Sequence, residues 1–124
     1  MEHVKNSSLV LAYLGDAVYE VRIRKHLIEK NIVKVNDLQN NALNYVSAKK
    51  QAYFLNELIT NNFFNEAELN LIKNARNSKS HSKPKNCDIL TYKHATAFEA
   101  VIGYFEITKQ YKRIDELIEE IIKM

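Results

Sequence analysis

Apolar residues recur along the chain in blocks that fit helices. "LVLAYLGDAVYEVRI" at 9–23 is the longest, and Ser7 or Ser8 can cap a helix through it that runs to about Lys30, where "EKN" and "IVKV" break the pattern. A second helical stretch opens near Asn36 or Asp37 with Leu38, Ala42, Leu43 and Tyr45. Ala48, Ala52, Leu55 and Ile59 continue at helical spacing, with Ser47 as a candidate start for a separate helix. "NEAELNLIKNAR" follows "NNFF", and Asn65 with Glu68 three positions on forms a variant of the capping box, so this helix is predicted to fade near Asn77. "NSKSHSKPKNCD" at 77–88 holds the only proline and reads as a loop. Residues 89–110 are apolar round most of a helical circumference, and "RIDELIEEIIKM" is a plain amphipathic helix. The sum is an all-α chain of five or six helices.

Composition agrees with that pattern. With only two glycines, one proline and no tryptophan among 124 residues, turn-rich β architectures are disfavoured, and the length fits one domain spanning 1–124. Cys87 is the only cysteine, which excludes an internal disulfide and suits a reducing, cytoplasmic compartment. No apolar run approaches the roughly 20 residues of a membrane span, and "MEHVKNSS" lacks a secretory pattern, so no membrane association is expected. Net charge is only +3, but it is unevenly placed: from Leu69 to Cys87 there is no acid, while Lys73, Arg76, Lys79, Lys83 and Lys85 are all basic. His81 adds a titratable group to this segment.

Two acids interrupt the apolar helices. On a helical wheel, Leu11, Leu14, Val18 and Val21 form one face of the first helix, and Asp16 lies opposite with Leu9, Ala12, Tyr19, Ile23 and Leu27. With both sides apolar, this helix is expected to be buried all round, and an ionised carboxylate there needs a partner or a metal. Glu99 breaks "ATAFEAVIGYF" in the same way, on a stripe with Tyr92, Ala95, Thr96 and Gly103. Gly15 stands beside Asp16, and Gly103 one turn after Glu99, although a mid-helix glycine costs roughly 1 kcal/mol against alanine. Small residues there allow close helix approach, which points to a paired-carboxylate site. The competing reading is an ordinary buried ion pair, with Lys93, Arg22 and Arg24 as available partners, or a carboxylate at the rim.

"YLGDAVYE" closely resembles the first signature of ribonuclease III catalytic domains, and "TAFEAVIGYF" resembles the second. With "YVSAKKQA", "ARNSKSHSKPKN" and "DILTYKHATAFEA" between them, and no appended double-stranded-RNA-binding domain, the chain looks like the short bacterial Mini-ribonuclease III branch of that family. The resemblance covers nearly the whole chain. It implies the helical ribonuclease III endonuclease fold and a homodimer that hydrolyses double-stranded RNA with Mg²⁺, or Mn²⁺ as substitute, to 5′-phosphate and 3′-hydroxyl ends. Precursor 23S ribosomal RNA is the implied substrate, and no organic cofactor is implied. Asp16 and Glu99 match the two signature acids and are the implied catalytic and metal-holding residues.

Longer family members place a glutamate four residues before the first acid and an aspartate three before the second. Here those positions are Ala12 and Thr96, which puts the number of metal ions in question. Mg²⁺ keeps several waters, so one or two carboxylates suffice to hold it. Glu20 and Thr96 are candidates for supporting roles around the pair, Thr96 by orienting water, although Glu20 reads equally as a solvated or paired helix residue. Arg76, Asn77, Lys79, Lys83 and Lys85 are candidate phosphate contacts to RNA, and Lys49 and Lys50 are weaker ones. A non-catalytic RNA-binding dimer of the same fold is the alternative, kept open by Ala12 and Thr96, and a purely structural helical dimer is a third reading.

Overall fold

The computed structural model describes residues 7–78 and 87–124. Among these the chain forms six helices and no strand: α1 (Ser8–Glu29), α2 (Val35–Val46), α3 (Ala48–Thr60), α4 (Glu66–Arg76), α5 (Ile89–Ile107) and α6 (Tyr111–Lys123). Each start has a local cause. The Ser7 hydroxyl accepts from the Val10 amide at 3.1 Å, and Ser47 ends α2 and caps α3 by accepting from the Lys50 amide at 3.3 Å. Asn65 and Glu68 complete a reciprocal capping box at α4. Asp88 accepts from the Thr91 amide at 2.8 Å at the head of α5, and that bond holds its carboxyl below the usual range. α5 stops at Ile107, three residues short of the predicted limit, because Lys109 turns into the left-handed region at φ 60°.

α5 is the axis of the structure. Ala95, Thr96, Ala97, Phe98, Ala100, Val101, Ile102, Gly103 and Phe105 are all buried, as α1, α3, α4 and α6 pack around it. The α1–α5 contact is the most intimate. A Cβ placed on Gly15 would lie 1.7 Å from the Glu99 carbonyl oxygen, and one on Gly103 would lie 1.9 Å from that of Leu11. The two backbones therefore touch at their glycines. Tyr19 meets Phe98 edge-on at 4.9 Å across the same seam, and its hydroxyl donates to the Tyr45 carbonyl at 2.8 Å, which ties α2 to α1.

The expectation that α1 is buried all round is not met. Leu11, Ala12, Gly15, Tyr19, Ile23 and Leu27 form one covered stripe, whereas Val10, Tyr13, Val21 and Ile28 are exposed and Leu14 and Val18 only half-buried. Gly15 decides which face turns inward, because only that face admits α5 at backbone distance. Asp16, next to Gly15, is consequently exposed at the edge of the seam rather than enclosed.

A second polar knot fixes α4 to α6. Arg113 binds the buried carboxylate of Glu68 through Nε at 3.2 Å and Nη2 at 2.5 Å, and also donates to Glu116 and to the Phe63 carbonyl. Its guanidinium lies over the Phe63 ring at 4.2 Å. Arg22 of α1 pairs with Asp115 of α6 and is unavailable to Asp16.

Two stability experiments follow from this packing. Gly15→Ala and Gly103→Ala should each lower unfolding free energy by about 2 kcal/mol or more in urea titrations, since overpacking outweighs the roughly 1 kcal/mol gain in helix propensity; a neutral or stabilising result would contradict the close crossing. Arg113→Met should cost about 3–5 kcal/mol by stranding the Glu68 charge, and Glu68→Gln in the same chain should recover part of that loss.

Candidate active site

The glycine crossing also places the acids. Asp16 follows Gly15 on α1, and Glu99 is the α5 residue whose carbonyl Gly15 touches, so the backbone contact that needs glycine brings the two carboxyl groups together. Glu99 is half-buried and Asp16 exposed. Burial pushes the Glu99 carboxyl up to about 9, the hydrogen bond and charge of Asp16 push the same way, the Gln51 amide opposes them, and the charge of Glu20 adds to the rise. Raised that far, the Glu99 carboxyl keeps its proton at neutral pH.

The acids open onto a cavity of about 240 Å³ lined also by Leu9, Ala12, Tyr13, Tyr92 and Thr96. Both departures from the long-form pattern thus stand on its wall: Ala12 supplies a methyl group, and Thr96 a hydroxyl that donates to the Tyr92 carbonyl at 2.9 Å and keeps its oxygen free to accept. Glu20 lies 3.6 Å from Arg24, as a paired helix residue does, and its charge adds to the rise at Glu99. Among the described residues neither acid has an ion-pair partner: Arg22 and Arg24 are engaged with Asp115 and Glu20, and Lys93 pairs with neither acid, whereas the exposed Asp16 agrees with the reading of a carboxylate at the rim.

Gln51 of α3 was missed at the sequence level. It is only 3% exposed, and its signal was a polar residue one turn before Leu55, on a helix otherwise read by its apolar positions. A larger groove of about 400 Å³ between α1 and α2 is mostly apolar and shares only Glu20 with this region.

The RNA-contact candidates divide. Arg76 is half-buried at the end of α4, and Asn77 caps that helix, its amide donating to the Lys73 carbonyl at 3.1 Å. Burial and the Arg76 charge lower the proton affinity of His94 on α5. Lys79, His81, Lys83 and Lys85 lie outside the described residues. Lys49 and Lys50 are exposed at the start of α3. The aromatics expected in the core divide too: Tyr19, Phe54, Phe64, Phe98 and Phe105 are buried, whereas Tyr13 is 84% exposed at the cavity rim.

Among the described residues no group of three or more His, Cys, Asp or Glu side chains is placed to hold a metal ion. Asp16 and Glu99 remain, an all-oxygen pair of the type that suits a hard divalent cation still carrying most of its waters. The described helices include none long and apolar enough to cross a membrane.

The model of the ribonuclease III domain family matches residues 9–110, which takes in both acids, the glycine crossing and the α4–α5 segment. The chain belongs to the ribonuclease III family of ribonucleases. Mini-ribonuclease 3 of Brevibacillus brevis is 50% identical over 90% of this chain and 82% of that one, and Mini-ribonuclease 3 of Enterococcus faecalis is 43% identical over 94% and 89%. These similarities place it within the Mini-ribonuclease III branch. A crystal structure of a Fusobacterium nucleatum protein, 34% identical, superposes with a TM-score of 0.86 over 95% of this chain and 94% of that one.

The carboxyl pair gives a pH signature. With the Glu99 carboxyl raised from 4.5 to about 9, the metal-free folded chain keeps a proton that the unfolded chain loses. Stability should therefore fall as pH rises through that window. Glu99→Gln should remove this contribution, gaining about 1–3 kcal/mol over wild type at pH 8 in EDTA and little at pH 5. Parallel pH–stability curves for the two proteins would contradict the raised Glu99 carboxyl.

Proposed function

We propose that this chain, as a single catalytic domain over 1–124, is a cytoplasmic, Mg²⁺-dependent endoribonuclease that hydrolyses both strands of double-stranded RNA to 5′-phosphate and 3′-hydroxyl ends. The observation that carries the reading is the pair of carboxyls, Asp16 and Glu99, set on one open cavity by a crossing that costs two mid-helix glycines.

Mg²⁺ held there supplies Lewis-acid activation of an attacking water and neutralises charge on the leaving 3′-oxygen. Asp16 and Glu99 are the residues that would hold it, with Glu99 giving up its proton to do so. The Thr96 oxygen, its own proton committed to Tyr92, accepts a hydrogen bond from water on the cavity wall and orients it. With Ala12 and Thr96 in place of two acids, the protein contributes at most two negative charges, and RNA phosphates complete the charge balance. Arg76 and Asn77, with Lys79, Lys83 and Lys85, neutralise phosphates along an A-form duplex and fix its position without reading sequence.

Two strands need two sites, and a two-fold homodimer provides them. The exposed apolar side chains of Val10 and Tyr13 on α1 support such a self-contact. Precursor 23S ribosomal RNA is the substrate that likeness to the Mini branch favours.

Asp16→Asn and Glu99→Gln should each reduce cleavage of a defined RNA duplex by at least about a hundredfold, while circular dichroism and the sedimentation coefficient stay as in wild type. Cleavage retained in either variant would remove this active site. Duplex binding without cleavage by wild type at any Mg²⁺ or Mn²⁺ concentration would favour a non-catalytic RNA-binding dimer.

A further inference from the structure

Three polar side chains share one stripe of α5. Tyr92, Thr96 and Glu99 stand at i, i+4 and i+7, and all three line the cavity that also takes in Asp16. Thr96 commits its proton to the Tyr92 carbonyl at 2.9 Å. The Tyr92 hydroxyl meets no hydrogen-bond partner among the described residues, and the residue is half-buried. Packing on a cavity wall asks only for the ring, which phenylalanine supplies equally well.

The cavity lining tells what that hydroxyl suits. Ionised carboxylates only accept, Leu9 and Ala12 are apolar, and no Lys, Arg or His lines the cavity among the described residues. Tyr92 and the exposed Tyr13 at the rim are therefore the side chains there with a proton to donate. A wall that carries two acids and no cation is a poor seat for a further phosphate and a better one for a neutral polar group. Duplex RNA offers such a group in the ribose 2′-hydroxyl, which donates and accepts as a phenol does. Tyr92 precedes Glu99 by seven residues, a helical rise of about 10 Å, and helical side chains lean toward the N-terminus. The phenol is thus set apart from the phosphate that Asp16 and Glu99 would address, toward a neighbouring nucleotide.

We propose that Tyr92 is a substrate-contact residue selective for the sugar: its hydroxyl exchanges a hydrogen bond with the 2′-hydroxyl of a ribose next to the scissile phosphate. This rests on the reading of the cavity as a cleavage site for duplex RNA. Contacts from basic residues to phosphates are blind to the sugar, so this one adds discrimination between ribose and deoxyribose.

Tyr92→Phe removes only the hydroxyl. On an all-ribose duplex its kcat/KM should fall about three- to tenfold, the loss of one hydrogen bond, while calorimetric Mg²⁺ affinity and the thermal midpoint stay as in wild type. Duplexes carrying a single 2′-deoxynucleotide, moved position by position along both sides of the cut, identify the partner. At one position wild type should lose the same factor, and Tyr92→Phe should lose nothing further. Losses that add at every position would overturn the inference, as would a variant equal to wild type on the all-ribose duplex. A fall in Mg²⁺ affinity or thermal midpoint that accounts for the lost activity would overturn it too.

The deoxynucleotide series on wild type alone is a second check, independent of how the variant folds. If no single 2′-deoxy substitution beside the cut slows wild type, the inference falls while the cleavage-site reading stands. Wild type that cleaves no RNA duplex would overturn that reading itself and this inference with it.

Discussion

The structure depends on one contact, the touching backbones of α1 and α5 at Gly15 and Gly103. It selects the face of α1 that turns inward, seats Tyr19 against Phe98, and fixes Asp16 and Glu99 at the rim of the same seam. Any side chain at either glycine would have to part the helices, and with them the acids. Fold and site therefore share a single steric requirement.

The acids turn that geometry into chemistry by being too close. Half-buried beside Asp16, Glu99 keeps its proton at neutral pH, and Gln51 and Glu20 act on that balance in opposite directions; in the proposed reading a divalent cation displaces the proton. The site is lean. Ala12 and Thr96 line the cavity with a methyl group and a hydroxyl, so Asp16 and Glu99 are the only acids on its wall among the described residues. The Arg113–Glu68 knot lies elsewhere, holding α4 to α6, and helps fix the helix that ends at Arg76 and Asn77.

Much of this was legible in the sequence because it rests on local chemistry. Ser7, Ser47 and Asn65 mark helix starts through bonds to residues three positions away, and the pairing of each acid with a scarce glycine pointed to the crossing. What a helical wheel cannot tell is which of two apolar faces finds a partner. Asp16 was therefore expected to be buried and is exposed, along with Val21. Gln51 escaped notice because its importance arises from α3 meeting α5, a contact far apart in sequence.

The central claim is that this lean pair of acids runs a metal-dependent cut on duplex RNA. Its most direct test is to incubate purified wild-type protein with an end-labelled RNA duplex, with and without Mg²⁺, and to size the products on a denaturing gel. The account predicts discrete cuts in both strands only when Mg²⁺ is present. Cleavage that persists undiminished in EDTA, or an intact duplex at every Mg²⁺ concentration, would contradict it.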